Sequence, residues 1–464
     1  MNKSYFFCGI GGSGMLPLAL ILRGHGAAVS GSDRALDQGR TAAKFEFLQN
    51  RGIVLYPQDG SGIASPQQTV VLSAAVEETV PDVVAARRFR APLMTRAELL
   101  SQLFNAAPQS IGVAGTSGKS TVTGMIGWML TDLGCDPTIM NGAVMKNFVG
   151  VDAPFASARV GASDLFVSEV DESDGSIARY TPGIAVVNNI SLDHKSMDEL
   201  RALFREFVAK SQTAILNLDN SETAALIPHA ARAITYSLSN SLADLQAENL
   251  SPAPDGIAFD LILRRGAEAM LRLQLQVPGE HNVYNALAAL AVAHALGIPL
   301  KDASEALSRF TGIRRRLEIV GTANGITVID DFAHNPDKIA ATLATLHAFP
   351  GRLLILFQPH GFGPLKKMKG EFIEVFARNL AADDILIMPE PVYYGGTTDR
   401  SVGSEEIVQG VRDTGRAAQA FATRPECGSK LLELARPGDR IVIMGARDDT
   451  LATFASDLLV ALEQ

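Results

Sequence analysis

Short apolar runs rich in Val, Ile and Leu alternate with longer amphipathic stretches, and the apolar runs end repeatedly in glycine, asparagine or an acidic residue. Runs of four to six such residues are too short for buried helices and predict strands; the intervening stretches carry helical apolar spacing. In the first part of the chain the pattern predicts strands at Tyr5–Cys8, Ala27–Ser32, Ile53–Tyr56 and Thr69–Ser73, with helices over Met15–Arg23 and Arg96–Leu103. Asn105–Gln109 reads as a linker. A second series follows with strands at Ser110–Ala114, Asp164–Ser168, Ile184–Val187, Ala214–Asn217 and Ile257–Leu261, and a helix over Thr121–Leu133. The turn-rich Ser251–Gly256 reads as a local loop. A third series places strands at Ile326–Ile329, Leu353–Phe357, Asp384–Met388 and Arg440–Met444, with helices between them. Such β–α alternation predicts an α/β fold of open, largely parallel sheets. A chain of 464 residues exceeds one ordinary core, and the three series predict three domains, at residues 1–106, 107–312 and 313–464.

Two of the strand-to-helix turns carry glycine patterns suited to phosphate. Gly115-Thr116-Ser117-Gly118-Lys119-Ser120-Thr121 sits between a predicted strand and a predicted helix, where backbone N–H groups and the helix N-terminus converge on an anion. Lys119 would reach the β- and γ-phosphates of a nucleoside triphosphate, and the Ser120 hydroxyl would join the shell of a Mg²⁺ ion. The full P-loop pattern asks for glycine six residues before the lysine, where Val113 stands. The earlier turn, Gly9-Ile10-Gly11-Gly12-Ser13-Gly14, has the spacing of a pyrophosphate-binding βα unit, and Asp33 ends the next strand where a dinucleotide fold places a ribose-binding acid. Taken alone, that turn predicts a nicotinamide-dependent dehydrogenase, but the same turn can hold any pyrophosphate. Strand ends in the second series add Glu169, the acidic run Val170-Asp171-Glu172-Ser173-Asp174, and Asp193-His194. Ligands gather beyond the carboxyl ends of parallel strands, so Glu169 and His194 could meet Ser120 around Mg²⁺; a solvated acidic loop and a capping histidine are the alternative. The run is too acidic to be buried unpaired.

Composition removes several functions. A net charge of −9 argues against a general nucleic-acid binder, and no apolar run approaches the length of about 18 residues that a membrane span needs. The start lacks a cleavable signal pattern, so the cytoplasm is expected. Cys8, Cys135 and Cys427 lack the paired spacing of zinc or disulfide frameworks and are expected to be reduced, buried thiols.

Several motifs recur in a familiar order: Gly9–Met15, Ser30-Gly31-Ser32-Asp33, the phosphate turn, Asn141-Gly142, Glu169–Asp174, Asp193-His194, Pro278–Ala286, Arg315-Arg316-Leu317-Glu318, Asp330-Asp331-Phe332-Ala333-His334 and Phe357-Gln358-Pro359-His360. In this the chain resembles the Mur ligases of peptidoglycan synthesis along essentially its whole length. The resemblance implies an N-terminal Rossmann-like domain for a UDP-sugar, a central P-loop ATPase-like domain and a C-terminal Rossmann-like domain. It implies ATP-dependent joining of an amino acid, L-alanine foremost, to the carboxylate of UDP-N-acetylmuramate through an acyl phosphate. ATP would be held by Gly115 to Thr121, by Asn282 and Asn285 at adenine, by Asp331 at ribose and by Arg316 at the phosphates. Mg²⁺ would be held by Ser120, Glu169 and His194, with Lys119, Glu169 and His194 as the catalytic groups. Gly11, Gly12, Ser13, Gly14, Asp33, Ser73, Asn141, His334 and His360 would contact the UDP-sugar or the amino acid. A monomer or homodimer is expected, with no nucleic-acid or membrane partner. One departure bears on the amine: alanine-adding members carry arginines after the Phe-Gln-Pro-His segment, whereas here the run is Gly361-Phe362-Gly363-Pro364-Leu365-Lys366-Lys367. Arg447 could supply a compensating cation, and a different amino acid or peptide, or a regulator that keeps the fold, stays open.

Overall fold

Three sheets of mainly parallel strands organise the chain, as seen in a computed structural model that describes residues 3–73, 76–192, 195–264, 269–391, 401–446, 448 and 450–464. The first sheet contains β1 (Ser4–Cys8), β2 (Ala28–Ser32), β3 (Val54–Tyr56), β4 (Gln68–Leu72) and β5 (Leu93–Thr95), in the order β3-β2-β1-β4-β5. Its four pairings are all parallel. The strand order reverses at β1, whose C-terminus opens into the glycine turn, the position where such sheets bind ligands.

The second sheet has ten strands. These are β6 (Gln109–Ala114), β7 (Thr138–Met140), β8 (Ala158–Arg159), β9 (Leu165–Glu169), β10 (Ile184–Val187), β11 (Thr213–Asn217), β12 (Ala233–Ser237), β13 (Leu245–Ala253), β14 (Gly256–Leu263) and β15 (Ala269–Leu275). Their order is β15-β14-β13-β12-β11-β10-β6-β9-β7-β8. The central strand β6 pairs in parallel with β10 and β9, so the ends of all three lie side by side. That register brings the phosphate turn next to Glu169 on one side and to Asn188 and Asn189 on the other.

The third sheet, in the order β16-β17-β21-β18-β19-β20, contains β16 (Glu318–Ala323), β17 (Ile326–Asp331), β18 (Leu353–Gln358), β19 (Ile385–Pro389), β20 (Ala417–Phe421) and β21 (Arg440–Gly445). Only β16 runs antiparallel, against β17. Its two faces carry separate apolar cores, one around Phe357, Phe372 and Phe376 and one around Leu431, Leu451 and Leu458. The chain separates into two compact units: Met1–Ser251 with Ile257–Gln276 and Glu280–Ile313, and Arg314–Gln464 with Pro252–Gly256 and Val277–Gly279.

Within the first unit, one buried cluster runs from Phe7 and Leu18 of the first sheet's layer to Phe166, Phe204 and Phe207 of the second. The stretch read as a linker is mostly structured, because the helix Arg96–Ala106 runs three residues past Leu103 and β6 begins at Gln109. Phe104 explains this: it is fully buried and meets Phe166 and Tyr180 edge-on, at 5.9 and 5.2 Å. Asn105 adds hydrogen bonds to the Arg179 carbonyl and the Thr181 amide. Cys8 and Cys427 are buried as expected, with burial pushing both thiols up to about 12, while Cys135 is only partly covered. Among the described residues, no helix is long and apolar enough to cross a membrane.

Candidate active site

The phosphate turn owes its shape to two glycines and a neighbouring strand end. Val113, where a longer P-loop would have glycine, is a fully buried residue inside β6, so the turn starts only at Gly115. Gly115 has φ of +136° and Gly118 has φ of +87°, and a Cβ at Gly118 would lie 2.6 Å from Asn188 Nδ2. Side chains are excluded there both by conformation and by space. The Asn189 backbone and side chain pin the turn: its carbonyl accepts from the Thr116 amide at 3.1 Å, and its Oδ1 accepts from the Ser117 amide and the Thr116 hydroxyl, each at 2.9 Å. The helix then begins at Lys119, two residues before the expected Thr121, and runs to Asp132. Its first amides have no intrahelical acceptor and carry the positive end of the helix dipole, which makes the turn an anion cradle.

Acidic groups line the other side. Ser120 Oγ donates to Glu169 Oε2 at 2.8 Å, and Asn141 Nδ2 donates to the Ser120 carbonyl at 2.9 Å. Gly142 is needed for this, because a Cβ there would stand 2.1 Å from Glu169 Oε1. A hydroxyl and a carboxylate at one point suit Mg²⁺, a hard cation that prefers oxygen ligands. The third expected ligand, His194, lies outside the described residues, and among those described no cluster of three acidic, histidine or cysteine groups forms a ligand set. Lys119 Nζ donates to both oxygens of Glu172, at 2.8 and 3.1 Å, and to the Gly115 carbonyl at 2.8 Å. Burial raises the Glu172 carboxyl above its usual range despite Lys119. Asp171 is half-buried, which raises its carboxyl, yet Lys119, the Ser173 hydrogen bonds and Arg96 outweigh that and hold it below the usual range. Within the acidic run Glu172 is buried and paired with Lys119, Asp171 is half-buried, and Asp174 is exposed.

The glycine turn of the first sheet faces the same region. Asp33 accepts from the Gly11 amide at 2.8 Å through one carboxylate oxygen and from the Ala35 amide at 2.8 Å through the other, so it shapes the turn and caps the next helix. Gly12 and Ser13 are exposed, and Ser73 sits just beyond β4. A cavity of about 60 Å³ lies between the two turns, lined by Gly14, Arg96 and Leu100 on one side and by Lys119, Gly142, Glu169, Asp171 and Tyr180 on the other.

Asn282 and Asn285 lie on the helix Glu280–Ala295 and are buried. Asn285 donates to Asn282 Oδ1 and accepts from Asn188 Nδ2, each at 3.0 Å, and the buried Tyr236 hydroxyl donates to Asn188 Oδ1 at 2.6 Å. This asparagine chain reaches the back of the phosphate turn, where Asn188 Nδ2 also approaches the Ser117 carbonyl at 3.4 Å.

In the second unit, Arg315, Arg316, Asp330, Asp331, His334 and His360 gather at the ends of β17, β18 and β21. The backbone at Arg315 and Leu317 is left-handed, at φ of +61° and +45°, an unfavourable conformation for such side chains that fixes the direction of Arg316 between them. Arg316 lies over the Phe332 ring, 4.7 Å from its centroid. Arg315 anchors the segment through the Gly445 carbonyl at 2.7 Å and Asp330 at 3.3 Å. Burial pushes the Asp330 carboxyl up to about 6, against the pull of Arg315. Asp331 accepts from the Leu317 amide at 2.9 Å and the Thr342 hydroxyl at 2.6 Å. His334 and His360 meet edge-on at 5.5 Å, and His334 Nδ1 lies 2.9 Å from the Phe332 carbonyl. Burial, with help from Lys338, pushes the His334 ring down to about 4. Arg447 lies outside the described residues.

Three family models match in chain order: "Mur ligase family, catalytic domain" over residues 4–107, "Mur ligase middle domain" over 113–293, and "Mur ligase, glutamate ligase domain" over 315–447. The chain belongs to the Mur ligase family. It is 35% identical over 458 residues to UDP-N-acetylmuramate–L-alanine ligase of Desulfotalea psychrophila, covering 96% of this chain and 95% of the relative. Against the enzyme of the same name from a Synechococcus strain it is 37% identical over 456 residues, covering 96% and 84%. Among solved structures, UDP-N-acetylmuramate-alanine ligase MurC of Thermotoga maritima matches with a TM-score of 0.80 at 25% identity, over 99% of this chain and 98% of that one. A murein peptide ligase from Psychrobacter arcticus shares the fold, with a TM-score of 0.70 at 24% identity over 100% and 99%. The three sheets are thus the three-domain architecture of the Mur ligase family.

Several residues that complete the site were not singled out by sequence. Asn188 and Asn189 follow β10 and shape the phosphate turn from behind, and Glu172 holds Lys119. A signal existed for Glu172, since an acidic run too charged to bury alone demands a cation. Nothing local marked Arg96, which enters the cavity from the other domain.

Proposed function

We propose that the chain is an ATP-dependent ligase that joins an amino acid, L-alanine foremost, to the carboxylate of UDP-N-acetylmuramate in peptidoglycan synthesis, releasing ADP and phosphate. The observation that carries this reading is the cavity where the glycine turn of one domain and the phosphate turn of the next open onto each other. A carboxylate resists attack by an amine, so activation requires transfer of a γ-phosphoryl group onto it. An acceptor carboxylate in this cavity would lie beside Lys119, which would leave Glu172 to neutralise charge on the transferring group. Bound Mg²⁺ would supply further charge neutralisation at Ser120, Glu169 and, in this reading, His194. The amine then attacks the acyl phosphate, phosphate leaves, and an amide forms. Enclosure between domains would limit hydrolysis of the acyl phosphate.

The remaining assignments follow this reading. Asn282 and Asn285 would serve adenine through the asparagine chain, and Arg316 and Asp331 would serve the phosphates and ribose. His334 and His360 would line the path of the amine. This reading divides the chain into domains at residues 1–106, 107–312 and 313–464; the helix Arg96–Ala106 and the long segment Arg314–Gln464 of the second unit support it. A nicotinamide site at the glycine turn would leave the phosphate turn without a role. The missing arginines after His360 favour one further outcome, a different amine in the same reaction. Mass spectrometry of products formed from ATP, Mg²⁺ and UDP-N-acetylmuramate with a panel of amino acids and short peptides tests the proposal. A mass increase matching L-alanine is expected; no condensed product with any amine would refute ligation.

A further inference from the structure

The cavity between the two turns contains a cation that the phosphate chemistry does not use. Arg96 is the first residue of the helix Arg96–Ala106, held there by a reciprocal cap: Thr95 Oγ1 accepts from the Glu98 amide at 3.1 Å, and Glu98 Oε2 accepts from the Thr95 amide at 2.9 Å. The cap fixes where the side chain departs. From that point it runs against the end of the glycine turn, so closely that a Cβ on Gly14 would lie 3.0 Å from Arg96 Cδ and 3.4 Å from Nη1. Its nearest acid is Asp174, at 3.7 Å between Nη2 and Oδ2, a loose pairing that leaves the Arg96 side chain 25% exposed. Opposite it, across about 60 Å³, stand Lys119, Glu169 and Asp171.

We infer that Arg96 binds the lactyl carboxylate of the UDP-sugar and presents it to the phosphoryl group held by Lys119. The inference rests on the ligase reading above and names the group that receives the acceptor. A carboxylate entering beside Glu169 and Asp171 meets two like charges, and Lys119 is required by the phosphates. A cation on the glycine-turn side of the cavity, away from the Mg²⁺ position at Ser120 and Glu169, would hold the acceptor, and Arg96 is the arginine lining this space. Its planar fork suits two-point binding of a carboxylate, which a lysine point charge does not reproduce. The space between the two turns suits a group of a few heavy atoms. Asp174 holds the guanidinium in place while the substrate is away.

Equilibrium titration of the full-length protein with two sugar nucleotides tests this without turnover. UDP-N-acetylglucosamine shares the nucleotide, pyrophosphate and sugar ring of UDP-N-acetylmuramate but lacks the lactyl ether. Arg96→Met should weaken binding of UDP-N-acetylmuramate by roughly ten- to a hundredfold, the loss of a charged hydrogen-bonded pair, and leave UDP-N-acetylglucosamine within about twofold. Arg96→Lys should recover only part of the loss. Equal weakening of both ligands would overturn the assignment and move Arg96 to the pyrophosphate or to a purely structural role. Unchanged binding of both would also overturn it. Failure of the unaltered protein to bind UDP-N-acetylmuramate would instead count against the ligase reading itself.

Discussion

In this structure Lys119 is held by Glu172, and releasing it is a cost that nucleotide binding must meet. The ammonium lies 2.8 and 3.1 Å from the two carboxylate oxygens, with the Lys119 side chain 20% exposed and that of Glu172 4% exposed. The gross attraction of such a pair at about 3 Å is roughly 5 kcal/mol at an effective dielectric constant of about 20. Much of it is offset by burying the carboxylate, as the upward shift of the Glu172 carboxyl records. The net worth of a charge-assisted bond of this kind is about 1.5–3 kcal/mol. Glu172→Gln keeps the shape and one acceptor but removes the charge, so about 1.5 kcal/mol of the restraint on Lys119 should vanish. That corresponds to ATP binding about tenfold more tightly. Unfolding free energy without nucleotide should fall by about 1.5 kcal/mol, because the variant leaves the Lys119 ammonium without its charged partner. Calorimetric titration with a non-hydrolysable ATP analogue and Mg²⁺, beside urea unfolding, measures both quantities. Unchanged or weaker nucleotide binding in the variant would refute the restraint.

Gly142→Ala would push a methyl group into Glu169 and separate it from Ser120. A fall in kcat of at least about a hundredfold is expected, by the scale of losing one transition-state charge stabiliser, with a higher Mg²⁺ requirement and a near-normal melting curve; wild-type kcat would contradict the role given to Glu169. The His334 ring should remain neutral until about pH 4, and proton–carbon NMR of the ring carbons during a pH titration reads this directly. Because that value lies below the unfolded one, the unfolded chain binds the extra proton between about pH 4 and 6.5, so the group removes stability as pH falls through that window. A midpoint near 6.5 would contradict the burial described.

Local pattern carried the fold well because each strand of these sheets is a short apolar run that ends in punctuation. The six residues of β6 and the glycines after it announce themselves, as do β17, β18 and β21. Edges were less legible. The antiparallel strands β8, β15 and β16 are short or mixed in pattern, so the run of apolar residues does not mark them, although β15 and β16 pair with the strands next to them in sequence. The apparent linker at Asn105 to Gln109 directly follows Phe104, whose burial depends on Phe166 and Tyr180, far along the chain. The site divides in the same way. Lys119, Ser120 and Glu169 sit in motifs whose spacing reflects one turn and one strand end. Glu172 and Asn189 act through contacts about 50 and 70 positions away from the residues they hold, and only the parallel register of β6 between β9 and β10 brings them near. Arg96 needed the domain arrangement.

The most direct test of the central claim is phosphate release from ATP by the purified chain, with and without UDP-N-acetylmuramate and the amino acid, in the unaltered protein and in Lys119→Ala. Release is expected only when nucleotide, UDP-sugar and amine are all present, with one condensed product per phosphate. The variant should lose at least about a thousandfold in rate, on the scale of charge stabilisation at a transferring phosphoryl group, while its circular dichroism and melting curve stay the same. Ligation retained by Lys119→Ala, or ATP hydrolysis indifferent to the UDP-sugar, would contradict the account.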